Sequence, residues 1–131
     1  MPVSSLFKSV PDDFMGLYDR PGRLNSQKVV GFLELTQKDV ANAIGIPKAS
    51  VRYDQKIPKA LLDRVQEWAV ALNLVATFFN DHNKTQLWFK TPNPLLGNIS
   101  PRDMIRYGRY TRLMRFVLDA QNQAGSAGGK T

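Results

Sequence analysis

The residues that most often carry enzymatic chemistry are scarce in this chain. Its 131 residues contain no cysteine and one histidine, which excludes thiol catalysis, disulfide bonds and metal sites built from thiolates or several histidines. His82 stands in a polar turn beside Asp81, and this carboxylate is too local to orient the imidazole as a catalytic triad requires. We therefore predict that the chain is not an enzyme and uses no cofactor and no metal.

The last eight residues, AGSAGGKT, satisfy a relaxed phosphate-loop pattern. A phosphate loop works because a strand precedes it and the N-terminus of a helix follows, which aims backbone amides at the anion. Here a predicted helix precedes the pattern and no predicted helix follows it. We expect residues 122–131 to be a flexible tail, not a nucleotide site.

Positive charge is concentrated in the C-terminal part of the chain. The net charge is +7, and residues 84–131 hold eight basic and two acidic side chains, which gives +6 of that total. A basic surface of this kind indicates an anionic partner, such as nucleic acid or an acidic protein surface. A weaker alternative is an enzyme that uses the basic half to bind an anionic substrate.

Five arginines dominate this basic part, opposed by two acidic residues. Arg102 and Arg106 share one side of a predicted helix, and Arg109, Arg112 and Arg115 fall off the apolar face of the next one. Arginine is favoured at protein interfaces because its planar guanidinium donates several hydrogen bonds in a fixed geometry. We predict that these arginines bind a partner.

The segment from Gln37 to Tyr53 has the pattern of a helix-turn-helix. Its two helices must cross closely, so the motif needs a small residue at the contact, a glycine in the turn and apolar residues that hold the second helix. Ala41, Gly45 and Val51 fill these places with spacings of four and six residues. The alternative is an unrelated helical hairpin with a glycine turn.

In a helix-turn-helix the second helix enters the major groove by its N-terminal half. Arg52 would then contact a guanine edge, and Ser50 and Tyr53 would make adaptable contacts. Gln37 and Lys38 would contact phosphates, and Lys48 would also face the DNA. The alternative for each is a solvated surface side chain, and the region 36–57 carries a net charge of only +2.

The elements that must position these residues are predicted to be helices. Apolar periodicity predicts them over 26–34, 37–44, 48–53, 59–79, 84–90, 101–107 and 109–121. The predicted caps are Asn25 or Ser26, Thr36, and Ser100 followed by Pro101 in the first helical position, and Gly108 is a candidate break between the last two helices. Leu6, Phe7, Val10, Phe14 and Leu17 could form a short helix or two that pack on the body. The fold class is therefore predicted to be all-α, and the long helix 59–79 is expected to be the hub of the core.

The stretch from Leu87 to Ile105 resembles the toxin-binding domain of the MbcA/ParS/Xre antitoxins, the partners of RES-domain toxins. The resemblance covers roughly residues 24–120, and Val51-Arg-Tyr-Asp with Ile57-Pro also looks like the exit of the antitoxin helix-turn-helix. The matching motif residues, most of which we expect to shape the fold, are Trp88, Pro92, Asn93, Pro94, Leu96, Gly97, Ser100, Pro101 and Gly108.

The resemblance implies a helical antitoxin that forms homodimers, inhibits a toxin acting on NAD by covering its active site, and represses its own operon by binding operator DNA. It also implies that the C-terminal end takes part in inhibition, which makes Lys130 and Thr131 candidates for toxin contact. This chain departs from the family in its Gly-rich tail. The alternative function is a stand-alone helix-turn-helix transcriptional regulator whose C-terminal part only dimerises.

Four segments are predicted from these patterns. Residues 1–23 would pack on the body, 24–57 form the helix-turn-helix, 58–121 form the toxin-binding module and 122–131 form the tail. Trp88 is expected to be largely buried against the long helix. The N-terminal stretch lacks the basic start and apolar run of a signal peptide, and no run is long and apolar enough to span a membrane. We expect a cytoplasmic protein.

Overall fold

The computed structural model describes the backbone of residues 13–130 and the side chains of residues 13–123. Over this range the chain is mostly helical, with six α-helices, two short 3-10 turns and one two-stranded sheet. The predicted all-α class is confirmed, apart from this small sheet. The predicted packing residues Leu6, Phe7 and Val10 lie outside the described residues.

The first described residues form turns followed by a β-hairpin, and residues 14–17, the described end of the stretch predicted to form short helices, are not helical. Strand β1 (Tyr18–Arg20) pairs antiparallel with β2 (Arg23–Leu24). Gly16 and Gly22 have φ angles of 67° and 79°, and backbone in this left-handed region interrupts a helix and favours turns. Gly16 therefore accounts for the absence of a helix over residues 14–17, and Gly22 forms the turn between the two strands.

A polar contact holds this hairpin to the rest of the molecule. The Asp13 carboxylate accepts hydrogen bonds from the backbone amides of Leu17 and Tyr18, both at 2.8 Å. The buried Asn73 side chain accepts from the Met15 amide at 2.9 Å and donates to Asp13 at 3.2 Å. Burying an asparagine is tolerated because both ends of its amide are hydrogen-bonded.

The first two helices begin at the predicted caps. Helix α1 (Ser26–Phe32) is capped by Asn25, and helix α2 (Gln37–Ile44) is capped by Thr36. Thr36 and Asp39 form a reciprocal capping box, in which each side chain accepts from the other's backbone amide. Helix α2 ends at Gly45, which has a φ angle of 82°, as the sequence predicts.

The prediction of a second helix over residues 48–53 of the helix-turn-helix is wrong. Residues Lys48–Ser50 form a single 3-10 turn, and the backbone at Val51 is extended. The Gln37 side-chain amide donates to the carbonyl oxygens of Lys48 and Val51, at 3.1 and 3.3 Å. The Lys48 carbonyl also accepts from the Val51 amide at 3.1 Å, so Gln37 adds a second donor there and stabilises the end of the turn. Val51 is then buried in the core.

The long helix α3 (Lys59–Phe79) has the predicted bounds and forms the centre of the core. Leu61, Val65, Trp68 and Leu72 recur at three and four residue intervals and are fully buried or nearly so. The helix ends at Asn80, which adopts the left-handed conformation with a φ angle of 50°. Asparagine is one of the few residues that tolerate this conformation.

The C-terminal part consists of three helices joined by tight turns. Helix α4 (His82–Lys90) is followed by a loop with a 3-10 turn (Pro94–Leu96), and then by helix α5 (Pro101–Arg106) and helix α6 (Tyr110–Lys130). Gly108 separates the last two helices with a φ angle of 74°. The predicted break at this glycine is therefore confirmed.

Helix α6 continues to Lys130, beyond the end predicted at residue 121. The added residues contain no proline, and their alanines favour a helix. Each glycine among them costs about 1 kcal/mol relative to alanine, which weakens a helix without breaking it as proline does. The backbone of the segment predicted as a flexible tail is thus helical over 122–130. None of the described helices is long and apolar enough to cross a membrane.

Side chains of the second half complete the end of the first helix. The carbonyl oxygens of residues 32–34 lie at the C-terminus of α1, where no further helical amides are available. The Gln86 side chain donates to the Phe32 carbonyl at 3.2 Å, and the Arg102 guanidinium donates to those of Leu33 and Glu34, at 2.5 and 2.6 Å. Helices α4 and α5 therefore supply the hydrogen-bond donors that α1 lacks.

Candidate partner-binding surface

The residues predicted to read DNA do not lie on one helical face. Gln37 is engaged with backbone carbonyls inside its own motif. Ser50 and Tyr53 are half-buried, and burial raises the pKa of the Tyr53 phenol. Lys38 and Lys48 are exposed. The structure thus leaves these two lysines available to solvent and gives Gln37 a structural role.

Arg52, predicted to contact a guanine, is paired with a carboxylate two residues away. Its Nε and Nη2 atoms donate to the two oxygens of Asp54 at 2.7 and 2.5 Å. This hydrogen bonding lowers the pKa of Asp54. Because Nε and Nη2 of Arg52 both donate to Asp54, Arg52 cannot offer these two atoms to a base edge without breaking this contact.

The loop that carries most of the family motif is closed by hydrogen bonds. The Asn93 side chain accepts from the Leu95 amide at 2.9 Å, and the Asn93 backbone amide donates to the Ile99 carbonyl at 3.1 Å. Gly97 ends the 3-10 turn with a φ angle of 79°. Leu96 is buried, whereas the neighbouring Leu95 is 77% exposed. The loop therefore presents one leucine to solvent from a fixed backbone.

The other motif residues have structural roles. Ser100 caps α5 by accepting from the Asp103 amide at 3.1 Å, and Pro101 occupies the first turn of that helix, as predicted. Pro92 and Pro94 are exposed at the ends of the loop. A Cβ atom on Gly108 would lie 3.3 Å from the carbonyl oxygen of Ala43, so this glycine also permits the close approach of α2.

Trp88, expected to be largely buried, is partly buried and packs against the core less completely than its neighbour. The fully buried aromatic residues of this region are its neighbour Phe89 and Trp68 of the long helix. Consecutive residues of a helix point about 100° apart, so Trp88 and Phe89 cannot both face the core. Phe89 takes the inner position, and the Trp88 ring packs edge to face against it with ring centroids 5.1 Å apart.

An apolar groove of about 380 Å³ opens beside Trp88. It lies between the C-terminal part of α3, helix α4, the motif loop and helix α6. We call it the apolar groove and define it by Val75, Phe78, Phe79, Trp88, Leu95 and Phe116. The sequence analysis missed it, although Phe78-Phe79 and Leu95-Leu96 are consecutive apolar pairs of which one member must face outward.

Two of the five predicted partner-binding arginines are engaged within the molecule. Arg102 donates to the carbonyls at the end of α1. Arg106 bridges Asp103, at 2.7 Å, and Asp39 in the capping box of α2, at 3.2 Å. Burial acts to raise the pKa of Asp39, but hydrogen bonds from Thr36 and Arg106 lower it on balance. These contacts give Arg102 and Arg106 structural roles that the charge pattern alone does not reveal.

The other three arginines are exposed at the start of α6, with Arg109 just before its first residue and Arg112 and Arg115 within its first two turns. Arg109, Arg112 and Arg115 form no ion pair with any of the described side chains. The first turn of α6 contains no acidic residue. Because the N-terminus of a helix carries partial positive charge, cations there oppose the helix dipole. The helix dipole therefore disfavours Arg109 and Arg112, whereas Arg115 lies beyond the first turn, where this effect has fallen off.

The three arginines do not all face the same way. Arg112 precedes Phe116 of the apolar groove by four residues, which places both on one side of α6. Arg115 lines a different depression, together with Glu67 and Tyr110. Burial and the nearby Glu67 carboxylate raise the pKa of the Tyr110 phenol.

The remaining candidates contribute little to a site. His82 packs edge to face against Phe14, and its Nε2 lies 3.0 Å from the Phe14 carbonyl oxygen. No group of three His, Cys, Asp or Glu side chains among the described residues could hold a metal ion. Lys130 is the last residue of α6, and its side chain, like the whole of Thr131, lies outside the described residues.

Comparisons with known proteins give one structural likeness. No protein-family model matches the chain, and no curated protein is significantly similar to it. Among solved structures, it is similar to a chain in the crystal structure of the M. tuberculosis MbcT-MbcA toxin-antitoxin complex, with 24% sequence identity and a TM-score of 0.46. The match covers 76% of this chain and 92% of that one.

Proposed function

We propose that this chain is an antitoxin that binds and inhibits a RES-domain toxin acting on NAD. The observation that carries the proposal is the N-terminal part of α6, where Arg109, Arg112 and Arg115 are exposed without a described acidic partner. Cations at this end of a helix cost stability, and a carboxylate-bearing partner would reverse that cost. The resemblance of residues 87–105 to the antitoxin motif supports the assignment of the partner.

Inhibition would follow from the position of α6 at the surface. The helix is anchored by Leu113 and Val117, which are buried in the core. Its arginines would fix the orientation of the bound toxin through charge-assisted hydrogen bonds. The segment 122–131, including Lys130 and Thr131, would then lie at the mouth of the toxin's active site. The arginine surface would supply most of the affinity, and the C-terminal residues would supply the blockade.

The proposal predicts that a RES-domain protein is encoded beside this chain, and the decisive experiment uses that protein. Expressed alone in bacteria, that protein should stop growth and deplete cellular NAD, and coexpression of this chain should restore both. The charge-reversed double variant Arg112→Glu/Arg115→Glu should fail to restore growth. The matched control Lys38→Glu/Lys48→Glu reverses two exposed lysines in the other half and should restore growth fully. No rescue by the unsubstituted chain would refute the proposal.

A truncation separates affinity from blockade. Removal of residues 121–131 should leave a complex that still forms in a pull-down assay but inhibits poorly. If the truncated chain neutralises as well as the full chain, coverage by the helices is sufficient and the C-terminal residues have no inhibitory role.

We further propose that the chain forms a homodimer and represses its own operon. Exposed Lys38 lies in the first turn of α2 and exposed Lys48 begins the 3-10 turn, which supports contact with phosphates. Since Arg52 is paired with Asp54, base reading by Arg52 would require that pair to open. Gel-shift titration with the promoter should show weaker binding for Lys38→Ala/Lys48→Ala and a smaller salt dependence. Unchanged binding would leave the proposed DNA surface without support.

A further inference from the structure

The apolar groove exposes large apolar side chains at its rim. Its rim residues Leu95 and Phe78 are 77% and 46% exposed. Leu95 is held in a defined position, because the Asn93 cap and the backbone hydrogen bond from Asn93 to Ile99 fix the conformation of its loop. Exposing large apolar side chains costs free energy in water, and contiguous exposed patches commonly mark interaction sites.

The charge beside the groove limits what can occupy it. Arg112 lies one helical turn before Phe116 on the same side of α6, and Arg109 immediately precedes this helix. The lining of the groove is apolar, and Arg112 adds a positive charge about one helical turn beyond it. An occupant that fits both parts carries apolar side chains followed within about one helical turn by a carboxylate.

Two other occupants fit this pattern less well. A second copy of the chain, related by a two-fold axis through the groove, would place the same arginines of both copies near each other. The N-terminal residues 1–12 contain Leu6, Phe7 and Val10, but Lys8 balances their one carboxylate, Asp12. Neither occupant provides the excess negative charge that Arg109 and Arg112 favour.

We infer that the apolar groove binds a segment of the toxin in which apolar side chains are followed by an aspartate or glutamate. The inference rests on the proposed function, and it names a docking contact separate from the blockade by the C-terminal residues. Leu95 and Trp88 would enclose the apolar side chains, while Arg112 pairs with the carboxylate.

Affinity measurements with the RES-domain protein, in a catalytically inactive form, test the inference. Leu95→Asp places a carboxylate on the groove rim and should weaken the complex by about 30-fold, the loss typical of a central interface residue. The matched control is Leu87→Asp, since Leu87 is 66% exposed on α4 and outside the groove. This control should bind within about threefold of the unsubstituted chain.

Photo-crosslinking identifies the occupant. With p-benzoylphenylalanine in place of Leu95, irradiation of the complex should attach a toxin peptide that contains apolar residues and an adjacent carboxylate. Crosslinks to a second copy of the chain, to residues 1–12, or to a toxin peptide without a carboxylate would overturn the inference.

The outcomes also distinguish the inference from the proposed function. If the unsubstituted chain binds and neutralises the toxin but Leu95→Asp binds equally well, the groove proposal fails and the antitoxin role stands. Equal weakening by Leu95→Asp and Leu87→Asp likewise overturns the groove as the specific contact. No binding by the unsubstituted chain refutes both.

Discussion

At the scale of single residues, contacts separate structural arginines from those available to a partner. Arg102 and Arg106 complete caps in the first half of the chain, whereas Arg112 and Arg115 are exposed. All five belong to one basic stretch in the sequence. Acceptors such as the Leu33 carbonyl are 69 residues away in the chain, so spacing within the stretch could not reveal which arginines they engage.

This division predicts that two arginine substitutions affect different properties, one stability and the other partner binding. Arg106→Ala leaves the mostly buried Asp39 without its ion-pair partner and should lower the free energy of unfolding by about 1–2 kcal/mol, less than for a fully buried pair. Arg115→Ala should change it by no more than about 0.5 kcal/mol and weaken toxin binding. Urea denaturation at pH 7 measures both changes, and equal stability loss in the two variants would contradict the division.

The effect of Arg106→Ala should also depend on pH. The pKa of Asp39 is lower in the folded chain than its ordinary value. The stability that it contributes is therefore present above the unfolded pKa, near 3.9, and is lost as pH falls through the folded pKa. The difference between Arg106→Ala and the unsubstituted chain should shrink over that acidic range. A difference independent of pH would show that the ion pair is not its source.

The two tryptophans should also behave differently. Trp68→Ala removes a fully buried side chain from the core and should cost about 3–5 kcal/mol. Trp88→Ala removes a half-buried side chain and should cost less, about 1–2 kcal/mol, since the lost transfer free energy follows the buried area. The motif and the periodicity identified Trp88 but could not decide which of two adjacent aromatic residues faces inward. Equal destabilisation by the two variants, in thermal or urea unfolding, would be inconsistent with this burial.

At the scale of elements, helices with caps and long apolar faces could be predicted from the sequence. The long helix α3 and the capped starts at Asn25, Thr36 and Ser100 were found from local signals. The second helix of the helix-turn-helix could not be assessed in this way. The 3-10 turn found there is held by the Gln37 side chain, which donates to carbonyls 11 and 14 positions away. The periodicity of apolar residues gives no information about contacts between residues so far apart in the sequence.

The junction between α5 and α6 gives a prediction at this scale. Gly108→Ala should lower stability by about 1–2 kcal/mol, because alanine disfavours the left-handed conformation and its Cβ would crowd the Ala43 carbonyl. Gly31→Ala is a matched control within helix α1, where a Cβ would meet nothing within 4 Å. It should leave stability unchanged or raise it by up to about 1 kcal/mol. Similar melting temperatures for the two variants would contradict the prediction.

At the scale of the whole molecule, the uneven charge should govern the rate of association with a partner. Residues 84–131 carry +6 of the net +7, and a one-sided field of this kind steers an acidic partner toward that surface. Between 50 and 500 mM salt, the association rate constant should fall by about tenfold or more while the dissociation rate constant changes little. Stopped-flow measurements with the RES-domain protein test this, and a salt-independent association rate would exclude steering.

The donation of Gln86 and Arg102 to the last carbonyls of α1 has a consequence for how the molecule opens. If helix α4 or α5 detaches, these carbonyls lose their hydrogen-bond donors within a partly buried region. The folded state of α1 alone then has little free-energy advantage over its unfolded state. The two halves should therefore behave as one cooperative unit in hydrogen–deuterium exchange, with amides of α1 and α5 sharing a single opening free energy. An excised fragment of residues 13–57 should accordingly exchange its amides as an unfolded peptide does.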